Sequence, residues 1–279
     1  LEVAPQDHLF NQNQKYRARP GEPQDQTRAQ EFVKTLATLQ VSNPNLPGVE
    51  EPLSTDTIIA LYAAFSDWID TDNDEYLGFA AVRGAEADAY NSRDMPYEIK
   101  NGMLDRLEEI RLVRGVKESH VPWRMWEQTL TALPYQSEGS CSFFTERINV
   151  NVASRDEIAK FLAARVLNPD DPGVSKEQYV GINKYTQQAE DLANFFAPLD
   201  TPRETYDPTT LQAALESRGI DGRHGVNCLF STVSQFYRIR IVTEVARVRT
   251  RLEAMLQVPR DEKTRTAKGT PRVLWETLN

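Results

Sequence analysis

The sequence has few of the residues that usually carry catalysis. Its three histidines, His8, His120 and His224, are not spaced as HExxH or as another set of metal ligands. Neither a GxSxG nucleophile motif nor a glycine-rich phosphate loop is present. These absences argue against the common hydrolases, zinc enzymes and phosphotransferases, and we predict that the protein is not an enzyme.

Cysteine is equally scarce, since the chain contains only Cys141 and Cys228. Neither lies in a CxxC motif, and each lies beside a segment with the pattern of a strand. The sequence leaves two alternatives: a disulfide, as in an extracytoplasmic protein, or two unrelated buried thiols. His224 precedes Cys228 by four positions, but this spacing alone does not predict a nucleophile.

Long apolar runs are also missing. No stretch approaches the roughly 18 apolar residues of a membrane span, and no signal peptide opens the chain. The formal net charge of −9 argues against a nucleic-acid partner, which would require a basic face. With 279 residues, of which 40% are apolar, the chain can still bury a substantial core in one large or two modest domains.

Acidic residues are abundant, and they concentrate between Phe65 and Tyr90, where Arg83 is the only base. The carboxylates of this run are Asp67, Asp70, Asp72, Asp74, Glu75, Glu86 and Asp88. Crowded carboxylates repel one another, and Ca²⁺, which takes six to eight oxygen ligands, would hold them together. The competing interpretation is a solvated acidic loop.

An EF-hand is excluded by the details of the run. Asp70, Asp72 and Asp74 have the spacing that starts an EF-hand loop. Glu75, however, takes the place of the required glycine, and Ala81 takes the place of the bidentate glutamate. Any calcium site must therefore be looser, with Asp70 and Asp72 at the end of one helix and Glu86 and Asp88 returning after a loop.

A helix is predicted to lead into the acidic run. Ser54 is a suitable cap, and apolar residues follow at helical spacing at Ile58, Tyr62, Phe65, Trp68 and Ile69. Asp67 and Asp70 then fall near the C-terminal end, where the helix dipole places partial negative charge. A cation beyond this end would offset both effects, which favours calcium over the solvated loop.

Other elements follow from local signals. We predict a short strand near Leu9 to Asn13, a helix over 27–39, and a helix from Asn101, as its cap, to Gly115. A further helix begins near Pro122, with Trp123, Trp126 and Leu130 inward. The last two helices resemble a helix-hairpin-helix unit, which often holds DNA phosphates, but acidic residues flank this hairpin and favour a packing role.

A faint repeat relates two parts of the chain. Asn11-x-Asn13 precedes the helix predicted at 27–39, and Asn149-x-Asn151 precedes a second helix at 155–167. Ser154 and Glu157 form a capping box for this second helix. A similar box at 175–178 is expected to open a long amphipathic helix.

Beyond Gly225 the apolar pattern changes to a period of two. Alternation from Phe236 onward predicts one or two strands of an antiparallel sheet. Strand and helix are hard to separate between Arg247 and Met255, and we predict strand. A last edge strand is expected from Arg272 to Glu276.

Five segments, taken in order, resemble the K subunit of type II secretion systems, the large minor pseudopilin. They are DWIDTDND (67–74), RGAEADAY (83–90), Pro96-Tyr97 with Asn101, LEEIRLVRGV (107–116) and INVNVAS (148–154). The resemblance is strong from about residue 30 to 155 and weaker from 226 to the end. It does not extend to residues 168–225.

The resemblance implies an α+β fold in which a pilin-like antiparallel sheet carries a large inserted helical domain. The sheet would take a strand and linker from residues 1–26 and the strands of 226–279. The insert at 27–225, of the SAM-like or helix-hairpin-helix kind, would contain the calcium loop at 67–90 and a second helical module at 148–225. Pseudopilins normally begin with a long apolar anchor helix. That helix is absent from this sequence, and we expect the full-length protein to be periplasmic and anchored in the inner membrane.

The resemblance also implies a function and a ligand set. In that family the K subunit lies at the tip of the pseudopilus with the I and J minor pseudopilins and helps to start assembly; the H subunit is a further candidate partner. Calcium would hold the helical insert and perform no chemistry. The expected ligands are Asp70, Asp72, Glu86 and Asp88, then Asp74 and Asp67, and Ala87 replaces an acid that is frequent in the family. The resemblance favours the Cys141–Cys228 disulfide.

The alternative function is a calcium-dependent secreted hydrolase that uses the acidic cluster for catalysis. Glycoside hydrolysis needs two carboxylates, one as proton donor and one as base or nucleophile. Seven acids within about twenty residues exceed this requirement. We therefore prefer the structural role, without nucleic acid as a partner.

Overall fold

The computed structural model describes residues 1–13, 23–37, 40–42, 50–77, 82–92, 96–134, 146–163, 186–218, 229–246, 248–259 and 269–278. The chain divides into two compact units. Unit 1 comprises Leu1–His8, Gly139–Phe161 and Thr186–Asn279, and unit 2 comprises Leu9–Glu138 and Leu162–Tyr185. Along the sequence, unit 2 therefore interrupts unit 1.

The described chain contains both helices and strands. The strands are β1 (Glu2–Pro5), β2 (Phe10–Asn11), β3 (Gln40–Ser42), β4 (Glu50–Pro52), β5 (Leu130–Thr131), β6 (Ile148–Asn149), β7 (Phe230–Ser231), β8 (Phe236–Val245), β9 (Val248–Gln257) and β10 (Arg272–Leu278). The α-helices are α1 (Pro23–Leu36), α2 (Thr55–Ile69), α3 (Ala87–Asn91), α4 (Trp123–Thr129), α5 (Arg155–Ala163), α6 (Thr186–Phe196) and α7 (Pro208–Ser217). None of the described helices combines the length and the apolarity that a bilayer crossing requires.

Unit 1 contains a four-stranded antiparallel sheet of order β1-β8-β9-β10. Strands β8 and β9 form a long hairpin that stays in register from Phe236 opposite Gln257 to Val245 opposite Val248. The strands predicted from alternation are confirmed, including β9 and the edge strand β10. A register irregularity in β10 is typical of edge strands.

Aromatic packing holds the helices of unit 1. Phe196 of α6 contacts Tyr206 and Phe230 at ring-centroid distances of 5.4 and 5.7 Å. The predicted capping box of α5 is confirmed, because the Ser154 backbone N–H donates to Glu157 Oε2 at 2.7 Å and the Glu157 N–H donates to Ser154 Oγ at 3.3 Å. This reciprocal pair satisfies two of the donors that a helix start leaves free.

Helices α1 and α2 form the core of unit 2. Phe32 of α1 contacts Tyr62 and Phe65 of α2 at ring-centroid distances of 5.4 and 5.8 Å. Ser54 caps α2 as predicted, by accepting the Thr57 N–H at 3.2 Å. Helix α1 begins at Pro23 rather than at residue 27, because proline is favourable in the first turn, where its missing N–H has no partner to lose.

The helix predicted from Asn101 to Gly115 is wrong. Only a short 3₁₀ helix, Leu107–Leu112, forms in this segment. Asn101 lies in the left-handed region at φ 46°, so it does not start a helix, and Lys100 holds Asp105 at 2.7 Å and Glu109 at 2.6 Å. Gly115 does have the predicted left-handed conformation, at φ 90°. The following helix, α4, is confirmed.

Two asparagines organise the start of unit 2. Strand β2 pairs with β5 in parallel, and Asn11 Oδ1 accepts the backbone N–H of Leu133 at 3.0 Å and that of Asn13 at 3.3 Å. Asn13 then holds both sides of the Leu104 backbone: its Oδ1 accepts the N–H at 2.7 Å and its Nδ2 donates to the carbonyl at 2.9 Å. A second donation reaches the Leu133 carbonyl at 2.9 Å.

The same arrangement recurs in unit 1. Strand β6 pairs with β7 in parallel, and Asn149 Oδ1 accepts the Asn151 N–H at 3.0 Å. Asn151 holds both sides of the Tyr206 backbone, each at 2.8 Å, and donates to the Thr232 carbonyl at 3.0 Å. The faint repeat in the sequence is therefore a repeated structural module, and its two asparagine pairs are confirmed.

Several predicted features lie outside the described residues. They are Cys141, Cys228, His224 and the capping box at 175–178. The disulfide and the start of the second long helix therefore remain predictions. Among the described residues, helix α6 covers Thr186–Phe196.

Candidate cation site

The end of α2 brings three acidic residues of unit 2 together. Asp70 is the C-cap of α2, Asp72 follows in the loop, and Glu86 precedes α3. One carboxylate oxygen from each of these residues lies within 4.8 Å of the other two. Carboxylate oxygens in such a group are the ligands that a hard divalent cation prefers, so the donor set fits calcium.

Glu86 has the environment of a group that needs a positive partner. It is 7% exposed, and neither of its carboxylate oxygens has a hydrogen-bond partner of standard geometry among the described residues, although the nearby Ala87 backbone N–H partly lowers its pKa. Burial, and after it the nearby carboxylates of Asp67, Asp72 and Asp74, raise the pKa of Glu86 from 4.5 to about 7. Because a buried charge without hydrogen bonds is costly, a cation at this point would stabilise the loop.

Asp67 has a different task from the three grouped acids. It is fully buried, its Oδ1 accepts the Tyr76 N–H at 2.8 Å, and its Oδ2 accepts the N–H of Ala85. The carboxylate therefore fastens both sides of the acidic loop (residues 70–86) to α2, one side at Tyr76 and the other at Ala85. A side chain on Gly84 would place its Cβ 1.7 Å from Asp67 Oδ2, so only glycine fits beside this carboxylate.

The remaining predicted ligands lie outside the group of three. The Asp74 backbone N–H donates to Asp72 Oδ1 at 3.0 Å, which helps to orient the Asp72 carboxylate. Asp88 is exposed in the first turn of α3. Asp67, Asp74 and Asp88 remain predicted ligands, whereas Asp70, Asp72 and Glu86 are brought together.

Buried hydroxyls tie the loop to α1. Tyr62 and Tyr76 each donate to a carboxylate oxygen of Asp25 at 2.8 Å, and Asp25 is fully buried. Burial, and then the negative charge of Asp25, raise the pKa of Tyr62 well above its usual value. Sequence reasoning missed Asp25, because it lies in a stretch that was predicted to be a linker.

Sequence reasoning also missed how Asn101 acts. It was predicted to be a helix cap, but its Nδ2 donates to the Asp72 carbonyl at 2.9 Å and to Asn73 Oδ1 at 3.1 Å. The signal that could have found it is the residue type, since asparagine is enriched in left-handed conformations. Asn101 thus joins the segment after α3 to the acidic loop.

The chain is an α+β protein in which unit 2 brings three carboxylates together. Residues 10–134 match the family model described as "Type II secretion system (T2SS), protein K". The chain is also similar to the Type II secretion system protein K of Pectobacterium carotovorum subsp. carotovorum, with 31% identity over 138 residues. That alignment covers 49% of this chain and 36% of the relative, so the chain spans about a third of the relative's length.

A solved structure shows the same fold. The chain resembles the crystal structure of the GspK-GspI-GspJ complex from the enterotoxigenic Escherichia coli Type 2 Secretion System, with a TM-score of 0.57 and 15% identity over 99% of this chain and 78% of that chain. Residues 10–134 are thus similar to protein K of type II secretion systems. The resemblance to protein K, first stated from five sequence segments, is confirmed.

Proposed function

We propose that the protein is a minor pseudopilin at the tip of the type II secretion pseudopilus, with a structural role in protein export across the outer membrane. The observation that carries this proposal is the family match over residues 10–134, which contain the acidic loop. The sheet of unit 1 serves as the pilin-like part, and residues 27–225 form the helical insert. The protein works in the periplasm, and a membrane-anchoring helix belongs to its full-length form.

The partners follow from the same proposal. The similar solved structure is named as a complex of GspK with GspI and GspJ. By analogy, this chain assembles with the I and J minor pseudopilins of its own system, and H is a further candidate partner. The test is to mix the chain with the soluble domains of the I and J subunits and to measure the mass of the resulting species by light scattering. A ternary complex is expected, and three separate species at micromolar concentration would contradict it.

Calcium has a structural part in this function. Asp70, Asp72 and Glu86 would hold the ion, and the ion would supply positive charge to a loop that the protein itself leaves negative. Asp67 keeps the loop closed around the site. The cation thereby stabilises the helical unit by binding only its folded form.

Replacing Glu86 by glutamine distinguishes two roles. The structural role predicts a changed melting temperature, whereas the hydrolase alternative predicts a stable protein without turnover. In calcium, E86Q is expected to lose the rise in melting temperature that calcium gives the wild type. In chelator it should be at least as stable as the wild type, because a buried charge has been removed. The control is Glu75→Gln, an exposed residue of the same loop that contacts Arg83 at 3.3 Å. An E86Q protein with the full calcium effect would refute the site.

A further inference from the structure

Asn101 holds the backbone of the acidic loop from outside it. Its Nδ2 donates to the Asp72 carbonyl at 2.9 Å and to Asn73 Oδ1 at 3.1 Å. An amide nitrogen has two hydrogens, so both are used and the orientation of the amide is determined. The contact reaches Asp72 through its carbonyl and leaves the Asp72 carboxylate available to a cation.

The backbone around Asn101 is adapted to this contact. Asn101 has φ 46°, a left-handed conformation that asparagine tolerates better than most residues. The next residue, Gly102, donates its N–H to the Trp68 carbonyl at 3.4 Å. Trp68 lies in the last turn of α2, two residues before Asp70. One short segment therefore contacts both the helix that supplies Asp70 and the loop that supplies Asp72.

Asp72 needs such support more than its neighbours do. It is exposed, whereas Glu86 is buried and Asp70 is anchored by its backbone N–H to the Ser66 carbonyl at 3.0 Å. An exposed loop residue loses conformational freedom when it binds an ion, and this loss weakens binding. A contact that orders the loop beforehand removes part of the loss.

We propose that Asn101 is a positioning residue for the cation site, and that its amide N–H groups hold the Asp72 turn so that the Asp72 carboxylate faces those of Asp70 and Glu86. The inference rests on the calcium site proposed above. It adds a residue outside the acidic run, 29 positions from its partner along the chain. Outer contacts of this kind typically change metal affinity by about 10–100-fold when they are removed.

The oxygen of the same amide provides the competing explanation. Asn101 Oδ1 is buried and accepts no hydrogen bond within the described part of the chain. Amide oxygens also bind calcium. A substitution that keeps an oxygen but removes the N–H donors therefore distinguishes positioning from direct ligation.

The test is calorimetric titration of the whole chain with calcium chloride, combined with melting in chelator. Asn101→Gly keeps the left-handed backbone but removes the amide, and we expect it to weaken calcium binding about 10–100-fold. Asn101→Asp keeps an oxygen, but its second carboxylate oxygen faces the Asp72 carbonyl and Asn73 Oδ1, which are both acceptors. We therefore expect this variant to bind calcium more weakly as well. Asn91→Ala, at an exposed position of α3, is the matched control and should bind like the wild type.

Four outcomes would overturn the inference. Unchanged affinity of Asn101→Gly would show that the amide does not support the site. Wild-type or tighter binding by Asn101→Asp would make the oxygen, and not the N–H groups, the important atom. If Asn101→Gly lowered the melting temperature equally in chelator and in calcium and left the calcium affinity unchanged, its defect would be purely structural. Absence of calcium binding by the wild type would remove the proposed site and this inference with it.

Discussion

Among single residues, Glu86 is a buried carboxylate whose charge is unfavourable in the folded protein unless a cation, such as the proposed calcium ion, neutralises it. Its carboxylate is buried beside three other acids, and the Ala87 backbone N–H offsets only part of the rise in its pKa. Such a residue lowers the stability of the protein when no cation is bound. If calcium binds as proposed, the same burial would strengthen the electrostatic attraction between the ion and the carboxylate.

The pKa of Glu86 predicts a pH dependence in chelator. A folded pKa of about 7, against 4.5 for the free group, means that the folded protein binds a proton more tightly than the unfolded chain does. Stability from this group is therefore complete below pH 4.5 and is lost as the pH rises to about 7. Melting in metal-free buffer between pH 5 and 8 should show this decline in the wild type relative to E86Q. Parallel curves would contradict it.

Calcium should reverse the sign of this effect. Because the ion binds the ionised carboxylate, the calcium-induced rise in melting temperature should grow over the same pH range. The measurement is the difference between melts in calcium and in chelator at each pH. E86Q is again the reference, and a calcium effect that is equal at pH 5 and pH 8 would argue against Glu86 as a ligand.

Gly84 gives a second prediction about single residues. Replacing it by alanine places a Cβ 1.7 Å from Asp67 Oδ2 and must push the carboxylate away from the Ala85 N–H. We expect a loss of about 2–4 kcal/mol in the free energy of unfolding, measured by denaturant titration, since a buried charged hydrogen bond is broken. Gly102→Ala is the control, because its Cβ would lie 3.8 Å from the nearest atom. Equal effects of the two substitutions would refute the steric argument.

At the level of elements, a short sequence pattern forms the same module twice. We call each copy an asparagine clasp, and the two clasps are centred on Asn13 and Asn151. In each unit a two-residue parallel strand pair is followed by an asparagine that holds both sides of a distant backbone group. Neither strand pair is long enough to be stable alone. The side-chain hydrogen bonds therefore supply much of the local order.

The clasps predict a matched pair of destabilised variants. Asn13→Ala removes three hydrogen bonds to Leu104 and Leu133, and Asn151→Ala removes three to Tyr206 and Thr232. Each should lower the free energy of unfolding by about 3 kcal/mol, because buried or half-buried backbone groups lose their partners. Hydrogen exchange should rise at 96–134 for the first variant and at 200–218 for the second. The control, Asn194→Ala, breaks one exposed contact with Arg155 and should change little.

The elements predicted correctly from sequence are those with local signals. Helix α2 follows from a cap and an apolar stripe, and the β8–β9 hairpin follows from alternation. The helix expected from Asn101 is wrong, because the Asn101 side chain donates to the Asp72 carbonyl and does not cap the residues that follow it. Asp67 remains a predicted ligand, but local pattern does not reveal that its carboxylate accepts the N–H groups of Tyr76 and Ala85, which lie 9 and 18 positions away.

For the whole molecule, the division into two units predicts where the loss of calcium is felt. The grouped carboxylates all lie in unit 2, and the described residues of unit 1 contain no comparable group. Unit 1 nevertheless repeats the asparagine clasp, with Asp200, Arg203 and Glu204 in the stretch before Tyr206. Calcium should therefore stabilise only the first copy of the module.

Hydrogen exchange in calcium and in chelator tests this directly. A ligand present at 100 times its dissociation constant adds about 2.7 kcal/mol to the form that binds it. Chelation should therefore speed exchange at 66–77, 82–92 and 96–104 but leave β8 and β9 unchanged. E86Q should exchange at the same rate in both buffers. Because protection is reported peptide by peptide, an equal rise in the sheet of unit 1 would show that calcium acts on the whole chain rather than on the helical unit that holds its ligands.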